Sequence, residues 1–206
     1  MAGRRGGVVH WAARYDLLIW LVTLGRERRF RERLLAPARL QGGESVLDVG
    51  CGTGTLAIAA ARAVGPAGSV YGVDASPEMI ARARHKAGKA GAPVVFEQGL
   101  AESLPFPDAR FDVVLSTVML HHLPRKVRPD ALREMRRVLK RGGRLLAVDF
   151  GGASRVGHNP ITHLHRHGGI APADLVDLIT GAGLRVAESG PLGFWNLQFV
   201  LAVLDA

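Results

Sequence analysis

Cysteine, acidic residues and long apolar runs are all in short supply in this 206-residue chain, and each shortage excludes something. A single cysteine, Cys51, rules out a disulfide framework and a cysteine-built metal cluster, and gives no sign of an oxidising compartment. The apolar stretch LLIWLVTL, Leu17 to Leu24, has eight residues where a bilayer crossing needs about 20. No small-residue cleavage site follows it, so neither a membrane span nor a secretion signal is expected, and the expected location is cytoplasmic. Acids number 18 against 27 lysines and arginines, a net charge of +9. The imbalance is local, because residues 1 to 40 hold nine arginines against Asp16, Glu27 and Glu32 and carry +6 of the total. With 48% hydrophobic residues, the chain has the composition of one globular domain with a substantial core.

What is present is an alternation. Apolar runs suited to buried parallel strands stand at residues 45 to 49, 69 to 74, 94 to 98, 111 to 117 and 144 to 150. Amphipathic stretches at 55 to 64, 77 to 90 and 129 to 139 read as helices between them, with Ser76 and Pro77 as a start signal for the second. This order implies a parallel sheet covered by helices on both faces. After Phe150 a histidine-bearing connection leads to a short helix over 173 to 180 and two more strands, 184 to 189 and 195 to 203. The link between those strands is too short for a crossover helix and predicts an antiparallel hairpin.

At the end of the first strand the sequence reads VLDVGCGTGT, with glycines at 50, 52 and 54. In an open parallel sheet this turn faces the crevice beyond the carboxyl ends of the strands, and glycine there lets the backbone approach a ligand closely. Asp74 closes the next strand, where a carboxylate can accept hydrogen bonds from both hydroxyls of a ribose, so the expected ligand is a nucleoside. The spacing departs from the G-x-G-x-x-G of nicotinamide dinucleotide enzymes.

The segments VLDVGCGTGT, VYGVDASPEMIARAR, GLAESLPFPDARFDVV, STVMLHHLP and REMRRVLKRGGRLL, in that order, resemble the class I S-adenosylmethionine-dependent methyltransferases. The likeness is particularly to the broad subfamily that includes the ubiquinone and menaquinone C-methyltransferases and many small-molecule methyltransferases, and it covers roughly residues 44 to 150. It implies a Rossmann-like fold: a seven-stranded, mostly parallel sheet with an antiparallel C-terminal hairpin, and S-adenosyl-L-methionine as cofactor. A single methyltransferase domain is expected, with a helical lid over 1–40, a cofactor-binding core over 41–150 and a substrate-side connection with the hairpin over 151–206. The resemblance implies that the backbone of Gly50, Cys51, Gly52 and Gly54 faces the methionine part of the cofactor. Asp48 would organise that turn or reach the amino group, and Thr117 would lie beside the cofactor. Asp74 would bind the ribose, with Ala75 and Met79 near the adenine and Ala101 and Glu102 at its edge. Leu100 stands where the family has an aspartate, which removes a carboxylate from the adenine amino group and leaves the Ala101 amide to serve the ring.

Methyl transfer from a sulfonium needs alignment and exclusion of water more than covalent help from the protein. Where an acceptor must lose a proton, His121 and His122, just past the fourth strand, are the candidate bases. Cys51 reads as a small residue in a tight loop rather than a nucleophile. His163, His165 and His167 leave metal binding, a pocket wall and a solvated loop open, and no metal site is expected. WAARYDLLIWLVTLGRERRFRERLL, with the pair Tyr15 and Asp16, resembles the lid helices of the quinone-methylating relatives. This favours a small lipophilic or aromatic acceptor and peripheral contact of the arginines with an anionic membrane surface. A nucleic-acid substrate is disfavoured despite the basic pI of 10.9, because no Asn/Asp-Pro-Pro-aromatic tetrad and no RNA-binding module is present. A non-catalytic protein on the same fold is the remaining reading.

Overall fold

The structure, a computed structural model, describes residues 27–151 and 169–206. The expected lid stretch Leu17 to Leu24, the pair Tyr15 and Asp16, and the histidines 163, 165 and 167 lie outside the described residues.

Among the described residues, seven strands form one sheet: β1 (Ser45–Val49), β2 (Ser69–Asp74), β3 (Val94–Gln98), β4 (Phe111–Thr117), β5 (Leu139–Phe150), β6 (Arg185–Pro191) and β7 (Leu197–Val203). Their order across the sheet is β3-β2-β1-β4-β5-β7-β6. β1 to β5 run parallel, whereas β7 lies antiparallel between β5 and β6. The order reverses between β1 and β4, which opens a crevice at the carboxyl ends of those two strands.

Among the described residues, five α-helices cover the sheet: α1 (Glu27–Leu35), α2 (Thr55–Val64), α3 (Pro77–Ala90), α4 (Arg128–Val138) and α5 (Pro172–Gly181). Strand residues alternate between the faces. Val46, Val113, Leu115, Leu146 and Val148 pack under α1, α2 and α3, through Leu34, Leu35, Leu56, Ile58 and Ile80. Leu47, Val49, Val114, Leu145 and Ala147 pack under α4 and α5, through Leu132, Met135, Leu175 and Ile179. Burial on both faces explains why the central strands read as nearly continuous apolar runs.

The start of α3 follows the sequence signal: Ser76 Oγ accepts the Met79 amide at 3.3 Å and Pro77 takes the first turn. Two strands start two or more residues away from expectation. β5 begins at Leu139 rather than residue 144, because Leu139 already pairs with Phe111 and the chain passes through Gly142 and Gly143 without leaving the sheet. β7 begins at Leu197 rather than 195, because Trp195 and Asn196 take left-handed backbone conformations (φ 51° and 55°) in the preceding turn.

The N-terminal edge of the sheet is tied by Arg144. Its guanidinium grips both carboxylate oxygens of Glu44 (2.7 and 2.8 Å) and donates to the carbonyls of Ala38 and Arg39. This fixes the segment that leads from α1 into β1, and so fixes where α1 lies against the core.

Candidate cofactor and acceptor site

The glycine turn is held against β2 by two amides, Gly50 N and Cys51 N, which share the carbonyl of Val73 at 2.8 and 3.0 Å. Gly50 has φ 74°, and a β-carbon there would lie 2.2 Å from Met119 Cγ, so the side chain that follows β4 closes directly over the turn. Gly52 has open space around it. Asp74 accepts the Gly52 amide with one oxygen and the Ser76 amide with the other, each at 2.9 Å. The carboxylate thereby joins the glycine turn to the head of α3. A carboxylate accepts about four hydrogen bonds, so capacity for a diol remains.

Asp48 is 2% exposed. Burial pushes its carboxyl up from the ordinary 3.8 to about 7, against the opposing pull of Arg31; Asp74 raises it further and the Ala57 amide lowers it. Among the described residues, Asp48 Oδ2, Ser116 Oγ and Thr117 Oγ1 are buried polar atoms with no hydrogen-bond partner. All three belong to the ends of β1 and β4, where Val49 pairs with Ser116. Orphaned acceptors and hydroxyls beside a glycine turn fit a polar ligand that brings its own donors. The residues present therefore suit a nucleoside with an amino-acid tail. Cys51 is buried, and burial, Asp48 and Asp74 push its thiol well above the usual range, which leaves it a neutral wall.

Because the folded protein holds the Asp48 proton more tightly than the unfolded chain, Asp48 favours folding fully below about pH 4, and that advantage disappears as pH rises through about 7. Urea unfolding of the ligand-free protein and of Asp48→Asn, compared from pH 4 to 8, is expected to show wild type losing a few kcal/mol of stability relative to the variant as pH rises. A constant difference would contradict this ionisation.

At the ends of β4 and β5 stands a second group. His121 Nδ1 lies 2.6 Å from Asp149 Oδ1, and the His121 amide donates to Asp149 Oδ2 at 3.1 Å, with both side chains buried. The His122 ring stacks on His121 at 3.9 Å, and Phe150 meets His121 edge-on at 5.5 Å. Arg128 donates to the carbonyls of His121 and Leu123, which fixes the short turn that carries the pair.

Along the same edge, on the face covered by α1, Phe30 packs against Phe194 (5.2 Å) and Trp195 (4.6 Å). Val118, with φ 54°, and Phe150 are half-buried beside the same core. A β-branched residue in that conformation is strained, and such strain gathers at functional sites.

Of the residues singled out from sequence, Asp48 lies near the end of β1, Gly50, Cys51, Gly52 and Gly54 form the turn that follows it, and Asp74 and Thr117 end β2 and β4, the strands on either side of β1. Ala75 and Met79 follow Asp74, and the Ala75 carbonyl accepts Gln98 Nε2 at 3.2 Å. Ala101 and Glu102 are half-buried just past β3, beside Leu100, which is 52% exposed. Asp149 and Arg31 were not singled out. An acid near the carboxyl end of an apolar strand, as in Asp48 and Asp74, was the available signal for Asp149. Arg31 was concealed in a run of arginines read together as a membrane contact.

The sheet order, the switch-point crevice and the glycine turn tied to Asp74 define a nucleoside-binding α/β domain of the methyltransferase type. A family model described as a methyltransferase domain matches residues 46–143. The ubiquinone/menaquinone biosynthesis C-methyltransferase UbiE of Ralstonia pickettii (strain 12J) is 39% identical over 150 residues, which is 72% of this chain and 61% of that protein. The chain thus spans about three fifths of the length of the curated relatives it matches. A solved S-adenosylmethionine-dependent methyltransferase from Aquifex aeolicus superposes with TM-score 0.79 at 25% identity, covering 94% of this chain and 98% of that one. The [4+2]-cyclase SpnF superposes with TM-score 0.72 at 22% identity over 87% of this chain and 81% of its own, a likeness of fold alone. This chain belongs to the class I S-adenosylmethionine-dependent methyltransferases, of the UbiE-like type. Among the described residues no helix is long and apolar enough to cross a membrane.

Proposed function

We propose that this chain transfers a methyl group to a small lipophilic or aromatic acceptor, a quinone precursor or related metabolite. The observation that carries the reading is the meeting, along one sheet edge, of the glycine turn with Asp74 and the buried His121–Asp149 pair, two strands apart. The R. pickettii relative named for ubiquinone and menaquinone biosynthesis supports a quinone-like acceptor. So do the aromatic side chains of Phe30, Phe150, Phe194 and Trp195 along the same edge.

Gly50, Gly52 and Gly54 bring backbone close to the cofactor, Asp74 takes the ribose hydroxyls, and Asp48 and Thr117 face the amino-acid tail. Ala75, Met79, Ala101 and Glu102 surround the adenine. The bound cofactor supplies an electrophilic methyl on sulfur. Asp149 holds the proton on His121 Nδ1, which makes Nε2 the basic nitrogen, and the stacked His122 extends the pair toward solvent. His121 then accepts the proton that a hydroxyl or an activated carbon must lose, while Met119 and Phe150 exclude water.

The test is incubation of the purified protein with methyl-labelled S-adenosylmethionine and fractionated cell extract. Label is expected in the organic-soluble fraction. Label confined to RNA or protein would overturn the acceptor class. On the labelled acceptor, His121→Gln is expected to lower kcat by about 100-fold or more, the usual contribution of a positioned base, with cofactor affinity unchanged.

A further inference from the structure

We infer that Arg128, at the head of α4, binds a carboxylate carried by the acceptor, which makes the acceptor an acidic aromatic compound. The inference deepens the proposed function and rests on its placing of the acceptor beside His121.

Arg128 is the first residue of α4 and follows the short turn Leu120–His122. Its Nε donates to the carbonyl of Leu123 at 3.2 Å, and its Nη2 donates to the carbonyl of His121 at 3.3 Å. The fork is thereby held against the peptide of the residue read as the base. A guanidinium has five N–H donors in one plane, and these two bonds leave Nη1 with no partner among the described residues. Nor does any carboxylate among the described residues form an ion pair with Arg128.

The acids whose charge reaches Arg128 are Asp149 and Asp174. Asp149 is already occupied: Oδ1 takes His121 Nδ1 and the Phe150 amide, and Oδ2 takes the His121 amide. Asp174 is exposed on α5. Burial holds the Arg128 guanidinium below the ordinary arginine range and Arg125 pushes the same way, against the pull of the two acids. A half-buried cation without a counter-ion has lost hydration and gained no partner, a cost that an anionic ligand removes. Residues 121 to 129 hold no acid, and Arg125 and Lys126 are exposed there, so the approach to Arg128 favours an anion. The planar fork matches a carboxylate. A carboxylate fixed here anchors the acceptor one peptide from the base, and alignment of that kind is what methyl transfer asks of the protein.

Calorimetry in the presence of S-adenosylhomocysteine compares 2-naphthoate with its uncharged isostere 2-naphthamide. Wild type is expected to bind the acid at least about 10-fold more tightly than the amide. Arg128→Gln is expected to weaken the acid by about 10- to 100-fold, the range for one charge-assisted hydrogen bond, and to leave the amide unchanged. Arg128→Lys is expected to restore part of the loss, with S-adenosylhomocysteine affinity normal in both variants. Arg133→Gln removes the same charge from the same helix, where Arg133 pairs with Asp130, and is expected to change neither ligand. Equal binding of acid and amide by wild type, or binding of neither, would overturn the inference. So would equal weakening of both ligands in Arg128→Gln, which would make Arg128 a brace for the turn alone, or loss of the preference for acid in Arg133→Gln, which would make it an effect of net charge. Wild type that prefers the acid yet labels only RNA or protein in cell extract would instead overturn the proposed acceptor class and leave the carboxylate seat standing.

Discussion

Asp74→Ala is expected to lower affinity for S-adenosylhomocysteine by at least about 100-fold, the largest single effect at the site. A ribose diol donating twice to one carboxylate makes two charge-assisted bonds, each contributing on the order of 1.5 to 3 kcal/mol. The variant also releases the Gly52 and Ser76 amides, so the glycine turn and the first turn of α3 lose their shared anchor. A fall in melting temperature should therefore accompany the loss of affinity. Asp74→Asn separates the two roles, since its amide retains one acceptor oxygen and can hold one backbone amide but not a diol. Calorimetry showing normal affinity in a destabilised Asp74→Ala protein would make Asp74 a turn organiser alone.

The second large effect comes from comparing Gly50→Ala with Gly52→Ala. At Gly50 an added methyl meets Met119 Cγ at 2.2 Å and Cβ at 2.8 Å, close to the Met119 backbone, where rotamer change gives little relief. With the left-handed backbone adding about 1 to 2 kcal/mol, Gly50→Ala is expected to cost about 2 to 4 kcal/mol in urea unfolding. At Gly52 no atom lies within 4 Å of the added carbon, so only the backbone cost remains, about 1 to 2 kcal/mol. The Gly52→Ala protein should fold but bind S-adenosylhomocysteine at least about 10-fold more weakly, because the open space there is the space a ligand's backbone contact requires. Unimpaired binding by Gly52→Ala would place the ligand elsewhere along the turn.

The parallel half of the sheet was legible because each of its strands is bounded by a local signal: an apolar run, then glycine, a capping serine or proline. Asp48, Gly50 and Asp74 were legible for the same reason, since their roles lie within a few residues of a strand end. The start of β5 was hidden because Arg141, Gly142 and Gly143 carry no strand-favouring side chain, whereas long-range pairing of Leu139 with Phe111 keeps them in the sheet. Trp195 carries a strand-favouring side chain, yet its backbone is bent into the β6–β7 turn, where Phe30 packs on it. The link from His121 to Asp149 spans 28 residues and two strands, and no local pattern joins them. Arg31 shows the limit of reading charge by composition: its neighbours in the run share its type, but the helical period alone gives it the face of Leu34 and Leu35.

The placement of β7 between β5 and β6 bears on how the molecule is made. β6 leaves the ribosome before β7, but it has no partner in the sheet until β7 arrives and pairs with Ser189 on one side and Ala147 on the other through Val200. Until then β5 presents a long unpaired edge, the kind of surface that recruits other chains. The cofactor-side strands β1 to β4 can assemble during synthesis, whereas the turn carrying Phe194 and Trp195 is set only when the sheet closes. Slow synthesis or a nick between β6 and β7 should thus yield chains with a formed nucleoside crevice, no aromatic wall, and a marked tendency to aggregate.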